Sequence, residues 1–378
     1  MAEEYQNPLD EWLAELPEGS ELSRRAWLEI KYIPAGSTEE KDISEDISKY
    51  LISMTYNDNL SDTADDISLE LEDRAQLWLA DWFPEGEGNM LDITLHTYNR
   101  ITLQDGETVF KAGKFEIDEI EAVGFPSTIK IKGVSIIGNS SLRGTRKNKT
   151  WENISVWKAA ADICEANGLE LMWDCAENPN LDHVEQADQS DLEFLLKICK
   201  DHGMSLKIMA DKIVIFDDAK FEKDDPVITV YKPGVKAELD EKTMPLRWLL
   251  DYSFRAKTRD TYYKCHVKYQ KGKKKETIEG EFTVPGKKEG RVLMVREQVK
   301  DKAEAEQLAK KKLREANKEA VTGAFSTIGN HNFAAGQVIA MQNFGHFDGK
   351  YLATKVTHEI QGESYTTKID IRRCLDGY

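Results

Sequence analysis

With 378 residues, 40% hydrophobic and 9% aromatic, the chain is long enough for roughly two or three domains, and its composition excludes a disordered protein. Its net charge of −17 is uneven: residues 1–100 hold 24 acidic and 7 basic side chains, whereas residues 221–378 sum to +7. An acidic head and a basic tail argue against a continuous nucleic-acid groove, and no apolar run approaches the ~18 residues of a membrane-spanning helix.

Residues 1–22 read as an acidic amphipathic arm carrying Trp12 and Leu16, without the basic-then-apolar pattern of a signal peptide. From "AWLEIKYIP" to "STIKIKGVSII" the pattern has period two. "DISLEL" sets Ile67, Leu69 and Leu71 on one face, and "MLDITL" and "KFEIDEI" alternate likewise. "FPEGEGN" and "LQDGET" read as hairpin turns. About seven strands with polar turns predict a small antiparallel barrel or sandwich over 23–142.

"RGTRKNKT" (143–150) reads as a basic linker into a small α/β insert spanning 143–224. In "TWENISVWKAAADICEANG", Val156, Ala160, Ile163 and Cys164 recur at helical spacing, and Gly168 sits at a C-terminal cap. Thirty-five residues on, the same Ile-Cys-x-x-x-Gly ending recurs. There Ser190 and Glu193 form a capping box, Leu192, Leu195, Leu196 and Cys199 form an apolar stripe, and Gly203 closes the helix. "LELMW" and "MSLKI" follow the two helices as strands, and "KIVIF" completes a hairpin. From residue 225 strand texture returns through 378, interrupted by one helix over 301–320 with Ala305, Leu308, Ala309 and Leu313 on its apolar face. The basic run "QKGKKKE" (270–276) reads as a solvated hairpin tip. The fold expected is mainly β, with two tube-like antiparallel β-barrel domains and a small helix–strand insert.

Catalytic spacing is scarce. The sequence has no His-Glu-x-x-His, Gly-x-Ser-x-Gly or Walker loop. The doublets Asp65–Asp66, Asp217–Asp218 and Asp224–Asp225 supply carboxylates of the kind glycoside hydrolysis uses, but each flanks a strand, where aspartate routinely caps turns. Cys164 and Cys199 read as buried structural thiols, and five cysteines at scattered spacings suggest free thiols in a reducing cytoplasm. His346 and His358 lack a second ligand pair. Trp27, Trp78, Trp82 and Trp248 read as core residues rather than a carbohydrate platform. Catalytic, cofactor and metal residues are therefore expected to be none.

Five stretches in order resemble one family. "ISMTYNDNLSDTADDISLELED" with "WLADWFP", "GKFEIDEIEAVGFPSTIKIKGVS", "VEQADQSDLEFLLKICKDHGMSL", "AEAEQLAKKKLREANKE" and "AAGQVIAMQNFGHFDGKYLATKVTHEI" are similar to phage late control protein D. Those proteins are tail baseplate hubs related to the hub half of the VgrG spike protein. Ser190, Asp191, Phe194, Leu195 and Gly203 fall on the family's most recognisable motif. The resemblance implies a homotrimer made in the bacterial cytoplasm and assembled into the baseplate of a virion or phage-tail-like particle. It joins a hexameric tail tube to a trimeric spike, alongside other baseplate proteins, without membrane insertion and without specific binding of DNA passing its channel. No lysozyme-like or long spike domain is expected within the chain, so the spike is expected to be a separate polypeptide. The alternatives are a peptidoglycan-cleaving baseplate enzyme and a carbohydrate-binding β protein.

Overall fold

The computed structural model describes residues 24–78, 88–100, 106–135, 140–209, 212–232, 244–246, 249–271, 276–362 and 364–378. The acidic arm expected over 1–22, with Trp82 and Trp248, lies outside them.

The first unit contains β1 (Arg25–Ile33), β2 (Lys41–Asp42), α1 (Ser44–Tyr50), β3 (Leu51–Asn59), β4 (Asp66–Glu72), β5 (Met90–Tyr98), β6 (Glu107–Val123) and β7 (Thr128–Val134). They pair in the order β3-β4-β7-β6-β5-β1-β2. The period-two pattern sets the register: Ile67, Leu69 and Leu71 of β4 are buried, with Leu91, Ile93 and Leu95 of β5 and Ile129 and Ile131 of β7. Ile43 and Ile47 bring α1 against this core. β5 and β6 form the hairpin expected at "LQDGET". Most of "FPEGEGN", where a second hairpin turn is expected, lies outside the described residues. Both edges of β4 are occupied, by β3 and β7, so β4 and β5 are not partners.

The middle of the chain holds α2 (Ser140–Arg143), β8 (Lys147–Ser155), α3 (Val156–Ala166), β9 (Glu170–Asp174), β10 (Asn180–Gln189), α4 (Asp191–Asp201), β11 (Ser205–Met209), β12 (Lys212–Phe216) and α5 (Asp218–Phe221). The basic linker is a correction: its Lys147–Thr150 belongs to β8, which pairs antiparallel with β10. Burial of Trp151 draws the segment in, where its ring stacks on Phe194 at 5.9 Å. The two strands of the repeat do not pair directly. β12 lies between them, antiparallel to β11 and parallel to β9.

The rest contains β13 (Ile228–Tyr231), β14 (Met244–Leu246), β15 (Leu249–Ala256), β16 (Tyr262–Lys271), β17 (Glu276–Thr283), β18 (Arg291–Val295), α6 (Lys302–Asn317), β19 (Val321–Ile328), β20 (Val338–Gln342), β21 (Gly349–Gln361) and β22 (Ser364–Arg373). β13 runs parallel to β14 and to β20, while β20-β21-β22-β19-β15 is antiparallel. α6 packs on a separate three-stranded sheet, β17-β16-β18, through Ala305, Ala309 and Leu313 against Cys265 and Val267. Gly280 permits that contact, since a Cβ there would lie 2.6 Å from the Ala305 backbone. β16 and β17 form the hairpin expected around the basic run.

The two larger β units are one hydrogen-bonded sheet. β3 pairs with β21 from Asn59↔Lys355 to Ser53↔Gln361, so neither unit can turn against the other without breaking that ladder.

Candidate functional site

The five motif residues hold α4 in place. Ser190 N donates to Glu193 Oε2 at 2.9 Å, and Glu193 N donates to Ser190 Oγ at 3.2 Å, completing the capping box. Phe194 and Leu195 are fully buried between α4, β8 and β11. Gly203 takes φ +70°, the left-handed conformation that ends the helix without a Cβ penalty.

Asp191 does what the sequence did not reveal. Its buried carboxylate accepts from Lys147 Nζ at 2.5 Å, Gln186 Nε2 at 3.0 Å and Asn167 Nδ2 at 3.1 Å. Asn167 caps α3 and also donates to Ile163 O at 2.8 Å. One carboxylate at the start of the second helix thus grips the end of the first. Burial opposes its ionisation, but the hydrogen bonds from Lys147, Gln186 and Asn167 outweigh it and hold the carboxyl below its usual range.

The repeat itself has a backbone explanation. Leu169 N donates to Cys164 O at 2.9 Å, and Met204 N donates to Cys199 O at 2.8 Å. Gly168 and Gly203 donate to Glu165 O and Lys200 O in matching positions. Ile-Cys-x-x-x-Gly therefore spells one helix end used twice. The two thiols are buried, and burial pushes Cys164 up to about 11 and Cys199 up to about 12. Replacing Ser190 with alanine is expected to cost about 1 kcal/mol, read as a lower urea midpoint; an unmoved midpoint would show that Glu193 alone suffices at this helix start.

Two buried charge clusters join the insert to its neighbours. Lys207 of β11 reaches Asp58, and lies 3.5 Å from Asp65. Asp58 Oδ2 also accepts from Ala335 N at 2.8 Å, so this carboxylate joins β3 to both β11 and the segment before β20. On the other side, Arg372 of β22 bridges Glu222 and Asp218, which also meet Arg314 and Lys318 of the α6 region. The acidic doublets need correction here. Asp65 and Asp217 do cap turns, accepting from Asn59 N at 2.8 Å and Ala219 N at 2.9 Å, but Asp65 and Asp218 are also buried members of these charge clusters. Trp78 is buried as expected; Trp27 is not, and its ring stacks on His96 at 5.3 Å on the surface.

A cleft of about 340 Å³ lies between the insert and α6, lined by Cys175, His202, Gly203, Asp217, Lys311 and Arg314. Of the motif residues only Gly203 reaches it. Burial, with Asp217 and Asp174 nearby, pushes the Cys175 thiol up to about 12, so it is not a thiolate nucleophile at neutral pH.

The seam between the β units carries two opposed titrations. His358 of β21 stacks on Tyr56 and exchanges a 2.8 Å hydrogen bond with Tyr365 Oη. Burial lowers its pKa to about 4, against the pull of Asp58. Burial raises Asp65 to about 6, against Lys207. As pH falls below 6.5 the unfolded histidine gains a proton that folded His358 refuses, so stability is lost down to about pH 4. Folded Asp65 takes up its proton near pH 6, and stability is gained down to about pH 4. The two effects therefore offset each other at this seam, and the expected result is a steeper acid loss in Asp65→Asn than in the native chain. Unfolding midpoints from pH 7 to 4.5 check this; parallel curves for the two proteins refute it.

Residues 140–364 match the family described as phage tail baseplate hub (GPD). The chain is 26% identical over 181 residues to the "Probable baseplate hub protein" of Escherichia phage 186, covering 46% of this chain and 42% of that protein. It thus spans under half the length of that curated relative. In fold it is similar to the 43 kDa tail protein of prophage MuSo2 from Shewanella oneidensis, with a TM-score of 0.64 at 12% identity, covering 91% of this chain and 98% of that one. It is also similar to a chain of the Francisella PdpA–VgrG complex, with a TM-score of 0.56 at 9% identity, covering 94% and 59%. At these identities the two structures establish the mainly β fold with few helices. The family match spans more than half of the sequence, and the chain belongs to the phage tail baseplate hub (GPD) family.

Proposed function

We propose that three copies of this chain form a ring that adapts a sixfold tail tube to a threefold spike. The observation that carries this reading is the β3–β21 ladder, which fuses two β units within one subunit. Three such subunits offer six β units around an axis while keeping threefold symmetry, which is what a tube-to-spike adaptor requires. In this reading residues 23–142 and 225–378 are the tube-forming domains, and 143–224 is the insert that buttresses them. Ser190, Asp191, Phe194, Leu195 and Gly203 act by holding the insert's second helix. The partners are the tail tube protein, a separate spike protein and other baseplate proteins, with DNA passing without specific contacts. Synthesis in the bacterial cytoplasm and incorporation into a virion or phage-tail-like particle follow from the same reading.

The role is structural rather than enzymatic. The carboxylates of the two buried clusters are engaged by Lys207, Arg372, Arg314 and Lys318, and the buried thiols are held protonated. No described helix is long and apolar enough to cross a membrane. Light scattering and negative-stain averaging of the purified chain test the ring. A mass of three chains with a central hole supports it, and a monomer without one overturns it. Release of soluble fragments from purified peptidoglycan would overturn the non-enzymatic assignment.

A further inference from the structure

Of the strand edges that stand open among the described residues, two lie on the fused sheet that joins the larger β units and differ in charge. β15 pairs only with β19, through Ala256↔Val321 to Leu249↔Thr327. Its side chains do not alternate in burial as those of β4 do: the run from Leu250 to Ser253 is exposed throughout. Tyr252 is 42% and Leu250 57% exposed. Behind the edge lies an aromatic patch, with Tyr252 on Phe344 at 5.0 Å and Phe254 stacked on Phe347 at 4.8 Å. Gly323 of β19 leaves room for Phe254 to lie across it; a Cβ there would meet the ring at 2.7 Å. Arg255, Lys257 and Arg259 continue the edge, exposed and with no ion-pair partner among the described residues.

The second edge is the outer half of β6. Its first half pairs with β5, ending at Glu116, and its second half pairs with β7 alone. Asp118–Val123 therefore has one free edge, bearing Asp118, Glu119 and Glu121, of which Glu119 meets Lys132 at 2.5 Å and Asp118 lies 3.9 Å from Arg143. Its tip presents Val123 at 49% and Phe125 at 99% exposure. A fully exposed phenylalanine beside an open strand invites edge-to-edge pairing unless something covers it.

We propose that the free edge of β6 in one copy lies against β15 of the next, with Phe125 on the aromatic patch around Tyr252. The inference rests on the ring reading above and names the surface that closes it. The two edges run six and eight residues, and the three carboxylates along the first face a cationic run on the second, where Arg255, Lys257 and Arg259 at and beyond the end of β15 outnumber its Asp251. Aromatic and arginine side chains are those that dominate interface cores. Different patches meet in such a contact, so it is head-to-tail, and copies must close into a ring or extend. Opposite charge disfavours pairing of like edges.

The test uses the full chain and two surface variants, Phe125→Asp and Tyr252→Asp, with circular dichroism to confirm folding. Sedimentation equilibrium of each variant alone is expected to show at least tenfold weaker association than the native chain. An equimolar mixture is expected to give a two-chain species, because the first variant keeps its β15 edge and the second keeps its β6 edge. If the native chain is a trimer and both variants remain trimers, this surface is wrong and the ring reading stands. If the variants are monomeric and their mixture is too, the edges are not each other's partners. A native chain that stays monomeric overturns both.

Discussion

Replacing Arg372 with leucine is expected to destabilise the protein by about 3–5 kcal/mol, the cost of breaking a buried ion pair by removing one partner. Arg372 is 2% exposed, and its guanidinium bridges Glu222 and Asp218, the latter at 2.9 Å. Arg314 and Lys318 also reach these carboxylates, at 2.8 and 2.6 Å. They keep the loss from exceeding that range but stand on α6 and its end, so they cannot replace the tie to β22. Burial opposes ionisation of Asp218, yet Lys318 and Arg372 hold its carboxyl below the usual range. Its contribution is therefore present above the unfolded pKa and is lost as pH falls through the folded one. Chemical denaturation at pH 7 measures the change. Arg372→Lys should fall between leucine and the native residue, since an ammonium keeps the charge but not the forked geometry. A leucine variant with an unmoved midpoint would show that the cluster contributes nothing net.

Phe194→Ala is expected to cost about 3–5 kcal/mol and Leu195→Ala about 2–5 kcal/mol, each by the lost transfer energy plus the cavity left behind. Phe194 is fully buried and lies parallel to Trp151, whose ring centre is also 3.4 Å from Lys149 Nζ. Truncation removes the floor under Trp151 and loosens β8, the strand that brings Lys147 to Asp191. The effect should appear as lower thermal stability and as faster amide exchange in both Lys147–Ser155 and Asp191–Asp201. If exchange rises in the helix alone, Trp151 is held by β10 and the coupling described here is wrong.

The sequence made some of this legible because the signals are local. Alternation in "DISLEL" and helical spacing in "LEFLLKIC" announce which face is buried, and the capping box is a four-residue code. Ser190 and Gly203 at the two ends of that helix, and Phe194 and Leu195 on its buried face, were readable for the same reason. What pairs with what is not local. β4 turns away from β5 because β3 and β7 occupy its edges, and β12 separates the two repeat strands. The charge clusters were hidden because Lys207, Glu222 and Arg372 look like ordinary polar positions until strands and helix from distant parts of the chain enclose them. Lys207 did leave a trace, as a cation inside the otherwise apolar "SLKIM".

The ladder between β3 and β21 also sets a timetable. Its partners, Ser53–Asn59 and Lys355–Gln361, are separated by almost the whole chain. During synthesis at ~5–20 residues per second, the outer edge of β3 waits roughly 15–60 s for its neighbour to emerge. For that interval the nascent first unit, with β3 already paired to β4 on one side, exposes the other edge of a strand containing Met54 and Tyr56, both buried in the finished protein. The ribosome-bound chain is thus most vulnerable to aggregation late in translation, and silent changes that slow decoding between these strands should reduce the soluble yield without altering a single amino acid.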